Sequence, residues 1–264
     1  MSRRRLVAMA VLIAVAGLSS APIRAIADPN QADLDRVTML GRQLAEYDAN
    51  AADSTDAVML LRPPRAAMGL YVGQHVNGEW IFSFGHLDDA RESFLIAYQA
   101  NRGAAGRYQV SALDPPKSDN GSLASLARAQ GAAQADFSQT PHPAATYNIA
   151  SLAQPDGTIF VYLYPGQITN DEFIFGADWR YTYSGDGRTL IERRQLHKAL
   201  FRIPPSPDAK AGYHVDVLSE LPVETDVFWT LLRRPPLPEF VGAGGWTFEI
   251  ATDGSIKVIG KIEK

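Results

Sequence analysis

Between Asn30 and Asn50 the apolar residues Leu34, Val37, Leu40, Leu44 and Tyr47 return every three or four positions, the spacing of one face of an α-helix. Asn30 is placed to cap the first turn, where Asp33 and Asp35 suit the positive end of the helix dipole. A second short helix is predicted over 54–61, with Ser54 as its cap, stopped by Pro63 and Pro64. Beyond the prolines the period falls to two. Strand-like runs flank Asn77-Gly78, a pair that favours a two-residue hairpin turn because both turn residues take positive φ, and a hairpin is predicted from Tyr71 to Phe84. FLIAYQA (94–100) and RYQVSAL (107–113) extend it into a meander.

After Pro115-Pro116 an alanine-rich segment with Leu123 and Leu126 on one face predicts a helix over 122–135, although Gly131 costs it about 1 kcal/mol relative to alanine. The prolines of SQTPHPAATYN mark a loop with His142 exposed. The second half reads as sheet. TIFVYLYP (158–165) is an unbroken apolar run suited to a buried strand, and hairpins are predicted around Ser184–Gly187 and Asp253-Gly254. In ADWRYTY, Trp179, Tyr181 and Tyr183 share a face predicted to be packed, and Asp178, Arg180 and Thr182 share one predicted to be wet. The expected fold class is α+β: an N-terminal helical segment (28–66) and one central helix packed on mostly antiparallel β-sheet (67–264), with a subdomain break expected, if anywhere, near 115–157.

The extreme N-terminus changes the picture. Arg3, Arg4 and Arg5, the apolar run Leu6–Leu18 and the small-residue pattern Ala25-Ile26-Ala27 form a secretory signal peptide, residues 1–27, cleaved near Ala27. The run of 13 residues is short of the ~20 that cross a bilayer as a helix, and no second such run follows. The mature chain is therefore expected to be periplasmic or secreted and to lack a membrane span. Cysteine is absent, so an exported chain must draw its stability from a core without disulfides; this length suffices to bury about 70% of the unfolded surface. Loss of Arg3, Arg4, Arg5 and Arg24 takes the formal charge from −4 to −8. With the remaining positive charges scattered, a nucleic-acid partner is not expected. The local cluster Arg193-Arg194 with His197 and Lys198 reads as a solvated strand face.

None of the five histidines forms H-E-x-x-H. The phosphate loop, the dinucleotide fingerprint and the G-x-S-x-G elbow are all missing, and no cofactor is expected. In YHVDVLSELPVETDVFW (213–229), His214 and Asp216 stand two apart and share a strand face, and Asp226 on a following helix could supply a third ligand to a divalent ion. That layout resembles the JAB/MPN metalloprotease signature, with Asp216 where that pattern has its second histidine; the resemblance implies a metal-dependent hydrolase. The plainer reading makes His214 and Asp216 the wet side of a strand whose Tyr213, Val215 and Val217 face inward. Glu224 and Asp226 then sit in the first turn of a helix that turns Val227 and Leu231 inward. Trp80, Phe82, Phe84, Tyr162 and Tyr164 read as core. Taken together, YDANAADSTDA, WIFSFGHL, VYLYPGQ, FGADWRYTYSGDG, RRQLHK and LPVETDVFW resemble a family of exported Gram-negative bacterial proteins without an established activity. That resemblance implies an envelope location and an α+β fold, and assigns no site residue. The functional expectation is an exported, non-enzymatic binding or protein-interaction module whose partner is an envelope or extracellular protein or a small ligand. The alternative is the hydrolase with His214, Asp216 and Asp226.

Overall fold

The apolar stripe that begins at Leu34 continues past Asn50 without a break. A computed structural model, which describes residues 28–103, 106–167 and 172–262, places one helix, α1, over Gln31–Met59; the predicted signal segment lies outside the described residues. The two helices expected from the sequence are thus one. Ser54 does not cap a second helix but lies buried inside the first, its hydroxyl donating to the Ala51 carbonyl at 3.0 Å. The segment Asn50-Ala51-Ala52-Asp53 contains neither proline nor glycine, so nothing in it interrupts the backbone ladder. Asn30 does cap, accepting the Ala32 N–H at 3.1 Å.

Strands β1 (Leu70–Val76), β2 (Glu79–Leu87), β3 (Phe94–Arg102) and β4 (Tyr108–Asp119) form the antiparallel meander in sequence order. Strand β4 runs through Pro115 and Pro116, past its predicted end, and it lies at the sheet edge, where a missing N–H is tolerated. Helix α2 spans Ser122–Gln139, a turn longer than expected. A second sheet joins β5 (Tyr147–Ala153), β6 (Ile159–Pro165), β8 (Trp179–Tyr183) and β9 (Leu190–Gln195), while β7 (Phe173–Gly176) pairs with β10 (Leu200–Ile203). The last sheet has the order β11 (Gly212–Val215), β12 (Glu239–Ala243), β13 (Trp246–Ile250), β14 (Ile256–Lys261), with β11 parallel to β12 and the others antiparallel. Helix α3 (Glu224–Leu232) lies between β11 and β12 in the chain. The fold is α+β with mostly antiparallel sheets. No helix among the described residues is long and apolar enough to cross a membrane.

Strand β6 is buried along its whole length, which accounts for its unbroken apolar run. Phe160, Tyr162 and Tyr164 enter an aromatic core with Tyr47, Trp80, Phe82, Phe228 and Trp229. On the other face, Ile159, Val161 and Leu163 meet α2 through Leu126 and Phe137. A third cluster joins Leu34 of α1 and Val227 of α3 to Val241, Phe248 and Ile250 of the last sheet. Helix α1 therefore packs into two of the three clusters, and it comes close to α3 at Gly41. A Cβ there would stand 2.5 Å from the Glu224 carbonyl oxygen and 2.5 Å from Val227 Cβ. This close approach sets the first turn of α3 against α1.

Two face assignments change. The side of β8 expected to be wet is covered: Asp178 is fully buried, Thr182 is buried, and Arg180 forms an ion pair with buried Glu224 at 2.7 Å. In β11 the expected faces are reversed, with His214 and Asp216 buried and Tyr213, Val215 and Val217 exposed at 65%, 50% and 70%. Alternation set the two faces correctly, but hydrophobicity chose the wrong one as inner, because buried acids on neighbouring elements, Asp226 and Glu239, satisfy the inward ring of His214.

Candidate metal centre

The first turn of α3 carries two buried acids, Glu224 and Asp226. Glu224 accepts hydrogen bonds from Arg180 at 2.7 Å and from the Tyr162 hydroxyl at 3.1 Å, which ties the start of α3 to the second sheet. Asp226 is the third residue of the helix. Its Oδ2 accepts the Val223 N–H at 2.7 Å, so a cap bond holds the carboxylate in place. Its Oδ1 faces two imidazoles at once, His197 Nε2 at 2.8 Å and His214 Nε2 at 2.9 Å. His214 comes from β11, and His197 follows β9 directly.

Each ring is fixed from behind. His197 Nδ1 lies 2.8 Å from Asp178 Oδ1, and the Asp178 Oδ2 accepts the Trp229 indole N–H at 3.0 Å. His214 Nδ1 lies 2.9 Å from Glu239 Oε1, whose partner oxygen Oε2 accepts from Arg233 at 2.9 Å. His197, His214 and Asp226 are all buried, and they offer one donor atom apiece with every pair of these atoms within 4.8 Å. Carboxylate-oriented imidazoles of this kind present Nε2 to a metal in the correct tautomer. Tetrahedral ligands ~2.0–2.2 Å from zinc stand roughly 3.3 Å apart, so the two short Nε2–Oδ1 spacings need open by only about half an ångström.

Electrostatics support the same geometry. Burial alone would push His197 below the ordinary imidazole value, but the charges of Asp178 and Asp226 and their hydrogen bonds overcome it and hold the ring well above that value. Burial likewise opposes the charged form of His214, and hydrogen bonds to Asp226 and Glu239 raise it to about 9. For Asp226 burial acts upward, yet His197 and His214 bring its carboxyl far below the ordinary range. With a carboxylate at both nitrogens, each ring is an imidazolium when no metal is bound. One divalent ion could replace the two Nε2 protons with no change in total charge. The surrounding acids would then keep their places as acceptors of the two Nδ1 protons.

The chain matches no protein-family model, no curated protein and no solved structure. The centre must therefore be read from its own chemistry. A cavity of about 10 Å³ lies against His214, Asp226, Glu239 and Arg233, room for about one water-sized particle. Phe173 and Arg233 also line a surface cleft of about 770 Å³ formed with Glu172, Ile203, Pro204 and Pro205. His197, His214 and Asp226 are all buried, so an organic substrate could not reach the three donors without displacing side chains.

Of the three ligands expected from sequence, His214 and Asp226 converge. Asp216 is buried beside them on the same face but lies outside the set of mutually close donors. Its Oδ1 accepts the Leu218 N–H at 2.9 Å, and burial, reinforced by the charge of Asp226, raises its carboxyl above the ordinary value. His197 takes the third place. Its assignment to a solvated strand face is overturned: it is 4% exposed, because the chain turns inward after β9, where the Leu196 N–H bonds the Asp178 carbonyl at 2.9 Å. Alternation within β9 could not signal this, since His197 lies beyond the strand. Asp178 and Glu239, the two acids behind the rings, were also invisible as site residues, since neither stands near a histidine in sequence.

Proposed function

We propose that this chain is an exported protein that binds one divalent transition-metal ion at His197, His214 and Asp226, and that it works in the envelope as a binding or interaction module and not as a hydrolase. The observation that carries the reading is the convergence of two Nε2 atoms on one Asp226 oxygen while a separate buried carboxylate holds each Nδ1. Metal-bound histidines almost always donate their other ring N–H to an acid or carbonyl, and both rings here have an acid in that place. What favours a binding role over a hydrolytic one is that the donors are buried and the cavity beside them has room for about one water and not for an organic substrate. Export rests on the N-terminal segment and its small-residue cleavage pattern.

The test is metal content and thermal stability of the mature protein purified from zinc-supplemented cells, beside His197→Ala. We expect one equivalent of metal, a melting temperature that falls on chelation and recovers with zinc, and neither property in the variant. A wild-type protein that takes up no metal and melts identically with and without chelator would refute the reading. A screen of peptide and ester substrates should be negative for the zinc-loaded protein, and turnover that is lost on chelation would restore the hydrolase.

A further inference from the structure

We infer that Asp216 is the fourth ligand of this centre, closing a donor set of two imidazole nitrogens and two carboxylate oxygens that takes a zinc-type ion; the inference rests on the metal reading above. Asp216 follows His214 by two residues and points to the same buried side, while Tyr213, Val215 and Val217 face solvent. Its Oδ2 is buried and has no hydrogen-bond partner, the only carboxylate oxygen in that condition among the described residues. A buried acceptor left unsatisfied is costly and in native proteins usually marks a missing water or ion. The other oxygen, Oδ1, accepts the Leu218 N–H; turning the carboxylate to bring Oδ2 inward loosens that one bond, which the contact with the ion replaces. Asp216 stands outside the cluster of three close donors, so this rotation is part of the loading step.

The donor set has consequences for the ion. Nitrogen and oxygen donors without sulfur suit zinc and its spectroscopic substitute cobalt(II), and they disfavour copper(I). A fourth protein ligand also saturates the ion and leaves no position for a small exogenous anion, which separates this arrangement from a three-ligand site completed by water.

The experiment uses the mature chain loaded with cobalt(II), with zinc affinity measured by competition against a chromophoric chelator. The wild-type cobalt protein should show the intense visible bands of four-coordinate cobalt and no change on adding azide. Asp216→Asn keeps the volume and the Leu218 contact but removes the anionic donor. It should weaken zinc binding by about 100-fold or more, beyond the 10–100-fold that loss of an outer partner costs, and its cobalt spectrum should respond to azide. The same variant should melt no lower than wild type in the metal-free state, because it keeps the Leu218 bond and gives up a buried charge whose Oδ2 has no partner; a structural role for the Asp216 charge would lower that value. Azide binding to the wild-type cobalt protein, or unchanged affinity and spectrum in Asp216→Asn, overturns the fourth-ligand inference and leaves the three-ligand centre standing. Failure of the wild type to bind either ion overturns both.

Discussion

Replacing Gly41 by alanine sets two effects of opposite sign against each other. Alanine in a helix interior is favoured over glycine by about 1 kcal/mol, so an open position in α1 would gain stability. At Gly41, however, the new Cβ would meet the Glu224 carbonyl oxygen at 2.5 Å, Val227 Cβ at 2.5 Å and Val227 Cγ1 at 2.7 Å, where ordinary contact begins near 3.4 Å. All three atoms belong to the first turn of α3 and none is the far end of a long side chain, so the helices must separate by roughly 1 Å. The same turn holds Asp226 at 2.8 Å and 2.9 Å from the two imidazoles, and a shift of that size takes both contacts past hydrogen-bonding distance. Overpacking costs about 1–3 kcal/mol and the loss of charge-assisted bonds about 1.5–3 kcal/mol. After the helix gain is subtracted, a net loss of about 2–4 kcal/mol is expected, or about 5–15 °C in Tm for a chain of this size. The assay is thermal and urea unfolding of the metal-free protein, with zinc affinity measured in parallel and expected to fall. Gly131→Ala in α2 is the control. Its Cβ would meet only the end of the Arg91 side chain at 3.1 Å and Leu70 Cδ1 at 3.9 Å, so a gain of about 0.5–1 kcal/mol is expected. If both variants stabilise alike, α1 and α3 do not touch at Gly41 and the account of how Asp226 is positioned fails.

In the metal-free protein His214 is raised to about 9, so its contribution is fully present below the unfolded imidazole value near 6.5 and is lost as pH climbs through 9. The loss is about 3 kcal/mol at most, with His197 acting in the same direction; melts in chelator across this window should show a steady decline, and a flat profile would contradict the imidazolium network. Arg180→Ala leaves Glu224, 3% exposed, with only the Tyr162 hydroxyl for a partner. A destabilisation of about 3–5 kcal/mol is expected by urea unfolding, and a loss below about 1 kcal/mol would mean that the pair does not fix α3. Trp229→Phe removes the indole donor to Asp178 and should lower zinc affinity, by no more than the roughly 10–100-fold that loss of a direct outer partner costs, while all three ligands stay intact; an unchanged affinity would detach the indole bond from the orientation of His197. Mass spectrometry of the protein exported by a Gram-negative host should find an N-terminus at Asp28, and an intact Met1 would remove the case for export.

Features that depend on neighbours in sequence were legible. Asn77-Gly78, Ser184–Gly187 and Asp253-Gly254 do form hairpin turns between paired strands, because turn chemistry is settled within about four residues. The apolar stripe of α1 and the unbroken run of β6 stated their own burial for the same reason. In YHVDVL the alternation showed that His214 and Asp216 share a face, and the spacing to Asp226 was enough to join it with His214. What alternation cannot state is which face is covered. Tyr213 and Val215 are the more apolar side chains, yet they are outside, since the inner side of β11 is made acceptable to polar groups by Asp226, Glu239 and Arg233.

The α+β class, the turns, the helical stripes and two of the three mutually close donors all follow from local period and turn preference. The tertiary structure decided the continuity of α1, the burial of both faces of β8, the inward face of β11 and the arrival of His197 beside Asp226. These depend on which layer lands on which, and the acids that orient the two imidazoles come from residues 19 and 25 positions away in the chain. Their meeting is a property of the packed layers, because a hydrogen bond requires proximity in space and leaves no period in the sequence.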